Sequence, residues 1–348
     1  MPQLRLGVVG LGQRAQLARH ADQPGRATVV SCADPSPDGR AYGRELFGPA
    51  AKLHSDHKDM LADDLDGVFI MTPDHIHVRP ALDFLEAGVP VFVEKPLAIS
   101  IEDCDRVLAA ARDTRTRLYV GHNLRHLPML KAARTLIDQG AIGQVKAVWC
   151  RHFVGHGGDF YFKDWHADRR HTTSLLLQKG AHDLDVIHWL GGGSSTSVVA
   201  MGDLAVYGGN PRRAGPGEQA ARLMPDWFDD KVWPPAALTG LNPVVDVEDI
   251  SMMFARLDNG VLASYQQCHF TPDYWRNYTV IGDEGRLENF GDLDDAMVKV
   301  WNKHRSGYRA DADQTVTIEA TEDEHGGADR ALVNEFLRFA SQGGPTDT

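Results

Sequence analysis

The stretch Leu4-Arg5-Leu6-Gly7-Val8-Val9-Gly10-Leu11-Gly12-Gln13-Arg14-Ala15 decides the fold. A short apolar run ends in a Gly-x-Gly-x-x-Ala turn, and a helical pattern opens behind it. Each small residue has its own task. Gly10 permits a sharp reversal, Gly12 lets a phosphate come against the backbone, and Ala15 keeps the helix close to the strand. The N–H groups of Gln13 and Arg14 open the helix, where an anionic phosphate is stabilised. Asp34 closes the next apolar run. A carboxylate there accepts hydrogen bonds from a ribose hydroxyl and repels a 2′-phosphate, which favours NAD over NADP. Arg40 lies close enough in sequence to weaken that preference.

Working outward, apolar runs at 4–9, 28–33, 67–71, 89–93 and 118–121 alternate with helical patterns at 13–20, 80–87 and 101–112. That alternation predicts βαβ units and a doubly wound parallel sheet. The pattern changes after residue 122. Helices are expected at 128–139 and 175–190 and strands at 145–153, 250–257 and 261–269, with Asp258-Asn259-Gly260 marking a hairpin. Further strands are expected at 278–281, 286–289, 297–301 and 315–319, before a last helix at 328–340. The second half therefore reads as α+β with a large, mainly antiparallel open sheet. Residues 1–122 and 123–348 are the expected domains, a division suited to a chain of 348 residues. The Gly-, Pro- and Trp-rich stretch 207–244 has little periodicity and reads as an arm or lid.

Composition narrows the class. The net charge is −12, with no Lys/Arg-rich run, so no nucleic-acid partner is expected. No apolar run is long enough to span a membrane. The four cysteines form no Cys-x-x-Cys pair and read as reduced thiols. Met1 to Leu6 enters a strand with no leader before it, so a cytoplasmic protein is expected.

Three further motifs carry chemistry. Thr72-Pro73-Asp74-His75-Ile76-His77 and Glu94-Lys95-Pro96 each follow a strand, at the sheet edge where ligands bind. Lys95 can donate to a substrate hydroxyl or a nicotinamide ribose, and its charge lowers the pKa of a reacting alcohol; a surface ion pair is the plainer alternative. Gln178-Lys179-Gly180-Ala181-His182-Asp183-Leu184-Asp185 lies on a helix, with His182 and Asp185 on one face. A histidine beside a carboxylate suits the general base that takes a hydroxyl proton as hydride leaves carbon. The aromatic, glycine-rich loop at 153–165, including Trp165, suits either closure over a sugar or simple packing. His75/His77, His152/His156 and His166/His171 raise a metal reading, but the hairpin-rich second half does not fit the single barrel that reading needs, and no metal is expected.

Together these motifs resemble the glucose–fructose oxidoreductase/inositol dehydrogenase/MocA (Gfo/Idh/MocA) family, in order across nearly the whole chain. The resemblance rests on Gly7–Ala15, Asp34-Pro35, Thr72–His77, Glu94-Lys95-Pro96, Arg125, Pro128, 140–145 and Gly180–Asp185. It implies a Rossmann domain and an α+β domain whose open sheet serves a homodimer or homotetramer. It also implies hydride transfer between NAD, or less readily NADP, and a hydroxyl of a sugar, cyclitol or related polyol. Lys95 and His182 are then catalytic, and Asp185 orients the substrate or His182. Thr72, Pro73, His75, His77, Glu94, Lys95 and Asn123 line the cofactor, and Arg151, Trp165, Lys179 and Asp183 join Lys95 and His182 around the substrate. Gln178 stands where many members have Asp, and Asp74 where many have Asn. An NAD-retaining glycosidase or lyase, or a non-catalytic sugar- or nucleotide-binding regulator, is the alternative on the same fold.

Overall fold

The structure, a computed structural model, describes residues 3–215, 231–319 and 324–348. The chain divides into two units. The first comprises Met1–Asn123, Arg170–Thr173 and Asp329–Thr348, the second Leu124–Arg169 and Ser174–Ala328.

In the first unit, β1 (Leu4–Val9), β2 (Ala27–Ala33), β3 (Lys52–His54), β4 (Gly67–Ile70), β5 (Val91–Glu94) and β6 (Leu118–Gly121) form a six-stranded sheet in the order β3-β2-β1-β4-β5-β6. Every pairing is parallel. Strand order reverses between β1 and β4, so the loops after these strands flank the point where such sheets bind ligands. Both faces of five of the strands are covered, which is why they read as continuous apolar runs; the edge strand β3, Lys-Leu-His, is only partly buried and escaped the sequence reading. Leu6, Val8, Phe69 and Phe92 pack on one side and Val68, Ile70, Val91 and Val93 on the other.

Three details differ from the sequence expectation. The turn after β1 continues as a 3-10 helix over Gln13–Ala21, not an α-helix, and its buried Ala15, Ala18 and Ala21 keep that helix's three-residue period. A helix at Pro37–Phe47 hides behind the turn-like Pro35-Ser36-Pro37; Ser36 caps it by accepting from the Gly39 N–H, with Pro37 in its first turn. The last helix, Ala328–Gln342, was expected in the second domain but, from Asp329 on, belongs to the first unit. Its Phe336 is fully buried, 4.9 Å from Phe69 and 5.5 Å from Phe92 between ring centroids. Without it those two sheet residues would face water, so the cut at 122/123 misses the first domain's final layer.

In the second unit, β7 (Val145–Phe153), β8 (Ser195–Asp203), β9 (Ile250–Leu257), β10 (Leu262–Cys268), β11 (Trp275–Gly282), β12 (Arg286–Phe290), β13 (Met297–Trp301) and β14 (Gln314–Thr317) form an eight-stranded sheet, β14-β13-β12-β11-β7-β10-β9-β8. Only β7 and β10 pair in parallel. Helices Pro128–Asp138 and Gly180–Gly191 cover one face through Leu130, Ile187 and Leu190 over Val148, Tyr265 and Tyr278. The other face is open, with Met201 76%, Val199 70% and Phe254 65% exposed. β8 escaped the sequence reading because its residues are exposed along nearly its whole length, so no alternation marks it.

The helix expected at 175–190 is two helices, Leu175–Gln178 and Gly180–Gly191, broken at Lys179. A Cβ on Gly180 would stand 3.0 Å from the Tyr265 ring, so glycine lets this helix start close against the sheet. The described parts of 207–244 are packed segments rather than a free arm. Tyr207, Leu238 and Leu241 join Phe162, Leu175 and Val247 in a small core. The buried Asp249 carboxylate accepts the backbone N–H groups of Ala205, Val206 and Tyr207. Residues 216–230 of the expected arm lie outside the described residues. Among the described residues no helix is long and apolar enough to cross a membrane.

Candidate active site

At the end of β1, Gly10 has φ +89°, and a Cβ there would stand 2.7 Å from the Thr72 backbone nitrogen. Only glycine fits. At Gly12 the position of a Cβ meets nothing within 4 Å, so the space over the turn is open. No side chain caps the helix that begins at Gln13, which leaves its first N–H groups available to an anion. The Thr72 hydroxyl is buried with no partner, a polar group waiting for one. This set fits a dinucleotide phosphate.

Asp34 does more than end β2. One carboxylate oxygen accepts from the Leu11 N–H at 2.8 Å and the other from the Ser36 N–H at 2.8 Å. It thereby ties the glycine turn to its own strand while keeping lone pairs for ribose hydroxyls. Arg40 is turned onto the backbone carbonyls of Asp34 and Pro35, at 2.8 and 2.9 Å.

Arg14, expected at the cofactor, is instead the centre of an ion-pair network. It meets Glu94 at 2.5 Å and Asp329 at 2.8 Å. Asn123, another expected cofactor residue, donates to Asp329 at 2.9 Å. Burial disfavours the Arg14 charge, but Glu94 and Asp329 outweigh it and push the guanidinium well above its ordinary value. Arg14, Glu94 and Asn123 therefore brace the loops that end β1, β5 and β6. Asp329 escaped the sequence reading; an acid in the first turn of a helix looks like an ordinary dipole complement.

The Thr72–His77 loop is held the same way. His77 is fully buried, with Nδ1 2.7 Å from the Pro96 carbonyl and Nε2 2.9 Å from that of Thr72. Burial lowers its pKa, and both ring nitrogens face backbone oxygens. His77 thus joins the two motif loops rather than facing a ligand. Pro73 precedes the short turn Asp74–Ile76, and exposed His75 stacks on His171 at 4.3 Å. Asp74 is buried and receives the Thr172 hydroxyl at 3.3 Å. Burial raises its pKa to about 7, against the pull of the Lys95 charge. Lys95 itself is half-buried directly after β5, its N–H donating to the Glu94 carboxylate at 3.2 Å.

In the second unit, Lys179 and His182 lie at the start of helix Gly180–Gly191, both half-buried. The Lys179 ammonium lies 5.9 Å from the centre of the Tyr161 ring. Trp165 stacks on His166 at 3.7 Å in the aromatic loop. Three expected residues are placed otherwise. Asp185 is gripped by the Arg125 fork at 2.6 and 2.7 Å, so its carboxylate anchors the helix rather than orienting His182. Asp183, expected at the substrate, is fully buried. It accepts from His152 Nδ1 at 2.9 Å, the Tyr265 hydroxyl at 2.9 Å and the Tyr278 hydroxyl, and forms an ion pair with the Arg276 guanidinium at 3.1 Å. Burial would raise its pKa, yet Arg276 and His152 hold the carboxyl well below its usual range. Arg151 stands on the open face of the sheet, because alternation along β7 sends it opposite to the buried His152. It donates to Asn277 at 3.2 Å.

The residues that sequence reasoning missed here, Gln267, His269 and Arg276, lie with His152 on the covered sheet face. Gln267 and Arg276 are the register partners of His152 on either side. The signal was the polar alternation of β10 and β11, readable only once their register with β7 is known. Among the described residues no group of three or more His, Cys, Asp or Glu is arranged to hold a metal ion.

Comparison with known proteins follows the same division. Residues 4–122 match the oxidoreductase family with an NAD-binding Rossmann fold, and residues 130–288 match the GFO/IDH/MocA C-terminal domain. The chain is 32% identical over 200 residues to a 1-carboxy-3-chloro-3,4-dihydroxycyclohexa-1,5-diene dehydrogenase of Comamonas testosteroni, covering 56% of this chain and 49% of that one. It is 32% identical over 191 residues to an inositol 2-dehydrogenase of Klebsiella pneumoniae (strain 342), covering 54% of each. The match thus spans about half the length of these relatives. A levoglucosan dehydrogenase, solved with NADH and levoglucosan, superposes with a TM-score of 0.78 over 99% of this chain and 91% of that one at 20% identity, which shows the shared fold.

Proposed function

Because the chain belongs to the Gfo/Idh/MocA family of oxidoreductases, we propose that it oxidises a hydroxyl of a sugar, cyclitol or related polyol with NAD. The observation that carries this reading is the phosphate cradle: a glycine that must be glycine, an open space at Gly12, an uncapped helix start and an orphaned Thr72 hydroxyl. The residues that would hold the dinucleotide are Gly10, Gly12, Gln13 and Thr72 at the phosphates and Asp34 at the ribose. The Arg40 guanidinium, though beside Asp34, is turned onto the backbone carbonyls of Asp34 and Pro35, which supports NAD over NADP. When bound, the nicotinamide supplies the hydride acceptor.

The chain's own residues manage the proton. Oxidation of a carbinol removes a hydride from carbon and a proton from oxygen. Lys95 donates to the substrate oxygen, and its charge makes the hydroxyl more acidic. His182 accepts that proton as general base, a role worth about 10²–10⁴-fold. The neighbouring carboxylates, Asp183 and Asp185, hold the helix in place and are spared from proton transfer by their partners. The open apolar sheet face, centred on Val199, Met201 and Phe254, is the surface through which a second copy of the chain would pair isologously.

The test is absorbance at 340 nm with NAD and a panel of sugars and cyclitols. A rise with one substrate class, abolished in His182→Ala, is the expected result. No rise, with nicotinamide co-purifying and glycosides cleaved, would replace the dehydrogenase by a cofactor-recycling glycosidase.

A further inference from the structure

Buried polar atoms without partners are rare and call for an explanation. The second unit has several in one place. His152 Nε2, both ring nitrogens of His269 and the Gln267 amide nitrogen are all buried with no hydrogen-bond partner. The three side chains are 0%, 0% and 1% exposed. They sit together on the covered face of the sheet. Gln267 is the register partner of His152 across the parallel β7–β10 pair, and His269 follows one residue beyond β10. The fields of His152 and Lys179 both act on His269, and that of Lys179 also acts on His152. The Tyr161 ring stands 5.2 Å from His269, edge to face, and the Lys179 ammonium lies over its plane.

Resting on the dehydrogenase reading above, we propose that His152, Gln267 and His269 form a recognition floor for the hydroxyls of an uncharged polyol, and so select neutral sugars or cyclitols over their carboxylate forms. The chemistry of the donor set makes the choice. Burial, then the neighbouring charges, pushes the His152 pKa down to about 3, and burial likewise takes His269 well below its ordinary value. Both imidazoles are therefore neutral at physiological pH: His152, whose Nδ1–H goes to Asp183, keeps an Nε2 lone pair to fill, and His269 has one N–H to give and one lone pair to fill. A hydroxyl both donates and accepts, so it satisfies either nitrogen. A carboxylate has no proton to give and would set its lone pairs against the imidazole's. The Gln267 amide nitrogen adds a donor, while its oxygen lies 3.1 Å from the Tyr265 hydroxyl, whose single proton it shares with Asp183.

His269→Phe is the decisive variant, since it deletes both orphaned nitrogens, keeps the ring volume and breaks no hydrogen bond of that side chain. His269→Leu serves if phenylalanine does not fit, and circular dichroism with NADH binding confirms the fold. The probes are myo-inositol, D-glucose, D-glucitol and D-glucuronate, read by calorimetric binding to the NADH-loaded protein and by steady-state kinetics. The floor predicts that the ligand-free variant melts higher, because unsatisfied buried groups have gone, while KM and Kd for the preferred neutral polyol rise about tenfold or more. Turnover in the wild type with KM unchanged in the variant would overturn the floor and leave the dehydrogenase reading standing. So would tighter binding of D-glucuronate than of D-glucose. A wild-type protein that neither binds nor oxidises any probe would overturn the dehydrogenase reading, and the floor with it.

Discussion

Around the glycine loop of the first unit, polar side chains tie backbone to backbone; on the floor of the second unit's sheet, polar side chains are tied to one another. His77 bridges two carbonyls, Asp34 two N–H groups, and Arg14 spans the acids that end β5 and begin the last helix. In the second unit Asp183 draws in His152, Arg276 and two tyrosines, all from the sheet below its helix. The difference teaches that a site made to grip a phosphate leaves backbone N–H groups free and uses side chains as struts. A site made to read hydroxyls leaves side-chain atoms free and uses a buried carboxylate as the strut.

Removing either strut is the harshest way to break the comparison. Arg14→Leu abandons two buried carboxylates, and Asp183→Leu takes from the buried Arg276 one of its two carboxylates and leaves a histidine and two tyrosines without theirs. Each should cost about 3–5 kcal/mol, read as a loss in urea midpoint at constant m-value. If Arg14→Leu cost less than about 1 kcal/mol, as an exposed pair would, the first unit's loops would not depend on it.

The two regions also respond oppositely to pH. Asp74 is raised to about 7 from an unfolded value of about 3.9, so the folded state holds more protons between those limits and stability falls as pH rises through them. His152 is lowered to about 3 from about 6.5, so the unfolded state takes up the proton and stability falls as pH drops through that window. Asp74→Asn should remove the first trend and leave the second. Melting temperatures from pH 3 to 8 read both; an unchanged profile in Asp74→Asn would place that carboxyl's titration elsewhere.

Smaller effects sharpen the edges. Asp34→Ala should narrow the preference for NAD over NADP by about tenfold, or about 1.4 kcal/mol, measured as the ratio of kcat/KM values. Met201→Glu, on the open sheet face, should shift a light-scattering mass toward the monomer with little effect on the melting temperature of the single chain.

The glycine loop could be read from sequence because backbone conformation dictates residue type: φ +89° with a 2.7 Å contact admits only Gly10. Five of the six strands of the first sheet were legible because burial on both faces makes them continuous apolar runs; the edge strand β3, Lys-Leu-His, was not, since it is only partly buried. The layer supplied by Phe336 was not, since a helix some 200 residues after the sheet carries no mark of which face it covers. Within the site, position in a motif indicated the loop but not the aim of the side chain. Arg14, Glu94, His77, Asp183 and Asp185 all fall in recognised motifs, yet each is turned into the scaffold. Arg151 and His152 show why: a single step along β7 separates the open face from the floor, and only the register with β10 and β11 says which is which.

The measurement that bears most directly on the proposed chemistry is Lys95→Ala examined for cofactor affinity and turnover together. NADH affinity within about threefold of wild type, with kcat lowered about 10²-fold or more, is the expected result. Undiminished kcat would remove Lys95 from the reaction and, with it, the shared lysine–histidine mechanism.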